Sequence, residues 1–207
     1  MGPSMNLPLS KAQVTKGAAW LHNNFGAQIA AAIEGKPYSA PIVCAIACKE
    51  TGFIWIPRTE MAPGDLLPLL VGDASGDIDG HPRHAFPQNT EEFRDQFGDD
   101  FTSLLTDESN AARALRGLGP AHIVYKGYGI FQYDLQHVMT DEVFFRNRLW
   151  HRIEGCLDRL TRELDRCFDA ADDDTHDAVR RYNGSGSAAE TYADHVMAFA
   201  DFCTGVA

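Results

Sequence analysis

Glu50 is the residue whose setting best suits chemistry. It follows the apolar run 41–48 and precedes Thr51 and Gly52. A carboxyl there is expected at the end of a buried helix, at the mouth of a cleft. Burial disfavours the charged form and raises a carboxyl pKa. An acid kept protonated near neutral pH can protonate a leaving oxygen as a glycosidic bond breaks. The plainer alternative is a surface carboxylate paired with Lys49 or Arg58.

A second set of acids lies in residues 72–81, where Asp73, Asp77 and Asp79 stand among glycines. Three roles fit. One Asp could be a general base that activates water, which an inverting glycosidase holds roughly 6.5–9.5 Å from the acid. The oxygen-rich spacing could bind Ca²⁺, although Ile78 occupies the place of an EF-hand's turning glycine. The third role is a solvated turn. His81 and His84 lack an obvious third ligand for Zn²⁺, so no metal is otherwise expected. Cys44 and Cys48 share one helical face and read as small core residues. A Cys-His hydrolase built on them is a minor alternative, because burial raises a thiol pKa and leaves it inert.

Mostly helices must position these groups. Residues 10–34 carry Val14, Ala18, Leu21, Phe25, Ile29 and Ile33 at helical spacing, with Ser10 as N-cap. A second helix follows Ser39, with Pro41 in its first turn, and is expected to stop at Gly52. Residues 53–121 read as a long, irregular insertion, and such loops are usually functional or disordered. Within it, 90–105 and 107–115 read as separate helices, the first capped by Asn89 or Thr90. Gly127 and Gly129 mark a turn or short extended piece. Residues 144–168 read as one amphipathic helix, followed by helices at 174–182 and 188–203. The expected fold is mainly α, one domain over 1–207 with little β structure.

Composition excludes several classes. Of 207 residues, 18 are Lys or Arg and 29 are Asp or Glu, a net charge of −11. Phosphate binding needs clustered cations, so nucleic acid is not an expected partner. No run approaches the roughly 18 apolar residues expected of a membrane span. The opening residues lack the charged and apolar regions of a signal peptide, and Met5 offers a second possible start. Five cysteines are too sparse for a disulfide framework.

Three short motifs then occur in order: Glu50-Thr51-Gly52-Phe53, Gly129-Ile130-Phe131-Gln132 and Arg181-Tyr182-Asn183. Together they resemble the lysozyme-like superfamily, and within it goose-type lysozymes and lytic transglycosylases. The family's motifs are a catalytic Glu often followed by Phe, then Gly-Leu-Met-Gln, then Ala-Tyr-Asn; here Arg181 replaces the Ala. Glu50 precedes Gly129 by 79 positions, farther than in compact members, which marks 53–121 as an atypical insertion.

The resemblance implies a lysozyme-like helical fold and cleavage of the β-1,4 bond between N-acetylmuramic acid and N-acetylglucosamine in peptidoglycan. Glu50 would be the general acid. Gln132 and Asn183 would hydrogen-bond the amino sugar, and Tyr182 would bond or pack near Glu50. Tyr128, Phe131 and Trp55 are candidates to stack on sugar rings. By position, Asp73, Asp77 or Asp79 would be the base; without one, the sugar's acetamido oxygen attacks and leaves a 1,6-anhydro product. Chitin is a related substrate. The alternative to an enzyme is a lysozyme-like module that only binds glycan or protein. Lacking a signal peptide, such an enzyme would reach the cell wall by phage release or a secretion system, with an immunity or inhibitor protein as a further partner.

Overall fold

The computed structural model describes residues 6–206; the candidate start at Met5 lies outside them. The described chain is mainly helical, as expected. Its helices are α1 (Lys11–Ala32), α2 (Ala40–Trp55), α3 (Pro63–Leu66), α4 (Thr90–Phe97), α5 (Asp99–Leu115), α6 (Glu142–Arg146), α7 (Ile153–Ala170), α8 (Thr175–Asn183) and α9 (Ser187–Cys203). Three two-residue strands, β1 (Val71–Gly72), β2 (Gly127–Tyr128) and β3 (Tyr133–Asp134), form an antiparallel sheet in the order β1-β2-β3. The registers are Val71 with Tyr128 and Tyr128 with Tyr133.

The chain divides into two compact units. One joins residues 1–59 to 157–207; the other is continuous over 60–156. The intervening segment is therefore longer than the expected 53–121 insertion, and it has its own core of Phe93, Phe101, Leu105, Phe144 and Trp150.

In the first unit, Ser10 caps α1 through a capping box with Gln13. This satisfies two amides that the first helical turn would otherwise leave unpaired. Val14, Ala18, Leu21, Phe25 and Ile29 then form the buried stripe that their spacing predicts. Against it packs α2, which does not stop at Gly52 but continues for another turn to Trp55. Gly52 serves close approach instead: a Cβ there would lie 2.8 Å from Leu9 Cδ1 and 3.1 Å from Ile56 Cδ1.

The segment Ala40–Arg58 is, by length and composition, apolar enough to cross a membrane, with mean hydropathy 1.3, which corrects the expectation that no run is. In the fold 67% of that window is buried. Such apolarity on every side suits a core helix equally well.

Two further boundaries differ. The expected 90–105 helix breaks at Gly98, whose φ of 81° is left-handed, and α5 then runs unbroken through the expected 105–107 gap. Glycine adopts that conformation without a Cβ penalty. The expected 144–168 helix is interrupted between α6 and α7, where Arg148 is left-handed and Leu149–His151 form a 3₁₀ turn. Asn89 caps α4 by accepting from the Glu92 amide, and Asp174 caps α8.

Candidate active site

The site begins with the one open stripe of α2. From Ile42 to Trp55 that helix is buried except at Lys49, Glu50 and Phe53. Residues three and four apart share a helix face, so Phe53 stands on the same side as Lys49 and Glu50. It is 62% exposed, which is unusual for an aromatic on a core helix. Glu50 lies within the helix rather than at its end, because the helix continues past Gly52.

Helix α9 completes the arrangement. Ala189, Tyr192, Ala193, Val196, Phe199 and Ala200 form its buried stripe, and Tyr192 holds the polar position in it. Its hydroxyl donates to Glu50 Oε1 at 2.6 Å. The Lys49 ammonium lies 5.4 Å from the centroid of the same ring. The Tyr182 ring is 6.3 Å from that of Tyr192. Tyr192 thus hydrogen-bonds Glu50, and Tyr182, expected to bond or pack near Glu50, lies beside the Tyr192 ring. In the sequence Tyr192 stands nine residues after Asn183, and its register on the apolar stripe of α9 is the signal that marks it.

Burial pushes the Glu50 carboxyl up to about 6, against the Tyr192 hydrogen bond and the Lys49 charge, which both pull it down. The group can therefore hold a proton in mildly acid solution and release it near neutrality. Tyr192 itself is pushed up by burial, and the neighbouring Glu50 charge adds to the rise. Replacing Tyr192 with Phe removes a hydrogen bond that favours the carboxylate, so the Glu50 titration should move to higher pH. A ¹³C carboxyl titration by NMR measures this directly; an unchanged or lowered midpoint would contradict the hydrogen bond's role.

The other candidates have different fates. Asn183 is exposed at the end of α8. Trp55 is fully buried against Trp20, at 5.3 Å between ring centroids, and Phe131 is also buried. Tyr128 is buried between Phe145 and Trp150. None of these three is open to stack on a sugar as expected, since each ring is buried. Phe53 is the exposed aromatic beside Glu50.

Gln132 ends the hairpin turn between β2 and β3, with φ of 52°. Its amide nitrogen donates to Leu70 O at 3.1 Å and to Gly129 O at 2.8 Å. Its oxygen fills the space beside Gly127, where a Cβ would meet it at 2.4 Å. Both amide protons are thereby directed at backbone carbonyls, so the expected sugar-binding amide is a clamp on the turn.

The acidic loop is anchored at Asp77. Asp77 accepts from the Thr90 amide and hydroxyl, each at 2.9 Å, and from Lys126 Nζ at 2.7 Å. That engagement disfavours Asp77 as a base, because three of its roughly four acceptor positions and its charge are already taken by Thr90 and Lys126. Asp73 accepts from the Ser75 amide at 2.9 Å and lies 3.8 Å from Arg83, and Asp79 is exposed. Two of the carboxylates considered for Ca²⁺ are therefore met by cations of the chain itself. Among the described residues, no group of three or more His, Cys, Asp or Glu is gathered to hold a metal.

Cys44 and Cys48 are buried, as core residues should be. Burial first, with Cys203 adding to it, pushes the Cys44 thiol up to about 12. That leaves little thiolate for a Cys-His mechanism. Compared with known proteins, the chain matches no family model, no curated protein and no solved structure.

Proposed function

We propose that this chain is a lysozyme-like glycosidase that cleaves the β-1,4 bond between N-acetylmuramic acid and N-acetylglucosamine in peptidoglycan, with Glu50 as proton donor. The reading rests on one observation. A Glu on the open stripe of a core helix is held by Tyr192 at 2.6 Å and poised at about 6. A general acid works best when its pKa lies near the operating pH. The ordered motifs of Glu50, Gln132 and Tyr182-Asn183 support the same family.

In this reading, protonated Glu50 delivers its proton to the leaving glycosidic oxygen as the C1–O bond breaks. The acetamido oxygen of the muramic residue closes on C1. The Glu50 carboxylate then takes the proton of the 6-hydroxyl as that oxygen replaces the acetamido oxygen, leaving a 1,6-anhydro end. Burial, Tyr192 and Lys49 set the acidity of Glu50. Where an Asp holds a water instead, that water attacks C1 and the product ends in a reducing sugar. Phe53 offers its exposed face to a sugar ring.

Incubating purified peptidoglycan with the whole chain, at a pH near the Glu50 value, tests the reading. Mass spectrometry should find soluble muropeptides with anhydro ends, lighter by one water than reducing ones. Reducing products would assign the attack to water. Folded protein that releases neither would remove the reading.

A further inference from the structure

The Glu50 chemistry uses the carboxyl and its tyrosine, and uses the neighbouring ammonium only as a charge that lowers the acid's pKa. Lys49 is half-buried, one position before Glu50 on the open stripe of α2. Among the described residues it forms no hydrogen bond or ion pair, and its ammonium rests over the Tyr192 ring instead. Glu50 is adjacent, but its carboxylate accepts a hydrogen bond from Tyr192 rather than from Lys49. His195, one turn along α9 from Tyr192, has a buried Nδ1 with no partner among the described residues. Burial and the Lys49 charge together hold that imidazole below its usual value. Lys49 thus has no ion-pair or hydrogen-bond partner of its own beside the candidate acid, and its charge disfavours protonation of the neighbouring imidazole. When Glu50 holds its proton, as a general acid must, it no longer offsets the Lys49 charge.

We propose that Lys49 recognises a carboxylate of the bound glycan and so selects acidic amino-sugar polymers over neutral ones. The proposal rests on the glycosidase reading and deepens it by naming what distinguishes the substrate. The aromatic ring beneath the ammonium keeps it extended without neutralising it, so the charge stays available for a charge-assisted hydrogen bond. Muramoyl glycans carry such carboxylates from two sources, the free lactyl group when no peptide is attached and the stem peptide when it is. Chitin-type oligosaccharides carry neither.

Titration calorimetry on the full chain tests this, in a Glu50→Gln background so that nothing is turned over. Three ligands of equal sugar length are compared: a peptide-free muramoyl oligosaccharide, the same glycan with its stem peptide, and a chitooligosaccharide. Lys49→Met should weaken the acidic ligand whose carboxylate is read by about 10- to 100-fold, the range a charge-assisted hydrogen bond spans. It should leave the chitooligosaccharide within about threefold, and Lys49→Arg should retain most of the affinity, since the charge is kept. The ligand that loses affinity identifies the source. Equal weakening of all three, or of none, overturns the proposal while leaving the glycosidase reading intact. Absence of binding to every glycan removes both.

Discussion

Glu50→Gln is expected to lower peptidoglycan cleavage by ~10²–10⁴-fold, the usual worth of a general acid. The amide keeps the size of the carboxyl and can still accept the Tyr192 hydrogen bond, but it has no proton to give. Glycan binding and the helical circular dichroism spectrum should be preserved. In the wild type, cleavage limited by the protonated acid should fall about tenfold per pH unit above the Glu50 value of about 6. Cleavage by the variant at the wild-type rate would refute the role.

The same substitution has an expected effect on stability that requires no substrate. Glu50 titrates at about 6 in the fold, against an ordinary value of 4.5. A raised carboxyl binds its proton more tightly when folded, so its favourable contribution is complete below 4.5. That contribution is lost as pH rises through about 6. At neutral pH the buried charge costs about 2 kcal/mol at most, taking 1.36 kcal/mol per tenfold change. Gln cannot charge, so the variant should be the more stable protein at neutral pH, and the gap should close in acid. Urea unfolding at two pH values checks it; a gap that widens on acidification would contradict the burial of this carboxyl.

Breaking the Asp77–Lys126 pair should be the most damaging single change in the second unit. The Lys126 side chain is fully buried, while that of Asp77 is 12% exposed. Besides Asp77, the ammonium donates to Val124 O at 2.6 Å. Thr90, at the start of α4, bonds the same carboxylate and accepts from the Val124 amide at 2.8 Å. The hub therefore fastens the acidic loop, the start of α4 and the β2 region together. Asp77→Asn leaves an uncompensated charge in the interior, a loss of about 3–5 kcal/mol. Adding Lys126→Met should recover much of it, because that charge is then absent. Asp73→Asn and Asp79→Asn, at exposed positions, should each change stability by less than about 1 kcal/mol. Urea midpoints separate these outcomes; an Asp77→Asn protein as stable as the wild type would show that the pair does not hold the loop.

Much of the helical frame was legible because its signals are local. Ser10 capping α1, Asn89 capping α4 and the Val14-to-Ile29 stripe each depend on residues within a few turns, and periodicity reports them directly. Boundaries set by backbone torsion were less visible. Gly98 breaks a helix where the spacing continues, whereas Gly52 does not break one because its missing Cβ is used for packing.

The candidate site divides along the same line. An acid at the polar edge of an apolar run was enough to single out Glu50 and to expect its raised pKa, since burial of a run is encoded in its composition. Its tyrosine was not, because 142 residues separate Glu50 from Tyr192 and only the packing of α9 on α2 joins them. Tertiary packing also decided which aromatics are available, enclosing Trp55, Phe131 and Tyr128 and leaving Phe53 open. It decided as well that Asp77 faces a buried lysine. The sequence by itself determined which residues carry protons, charge and rings; which of them face each other, and which face solvent, followed only once distant segments had been packed together.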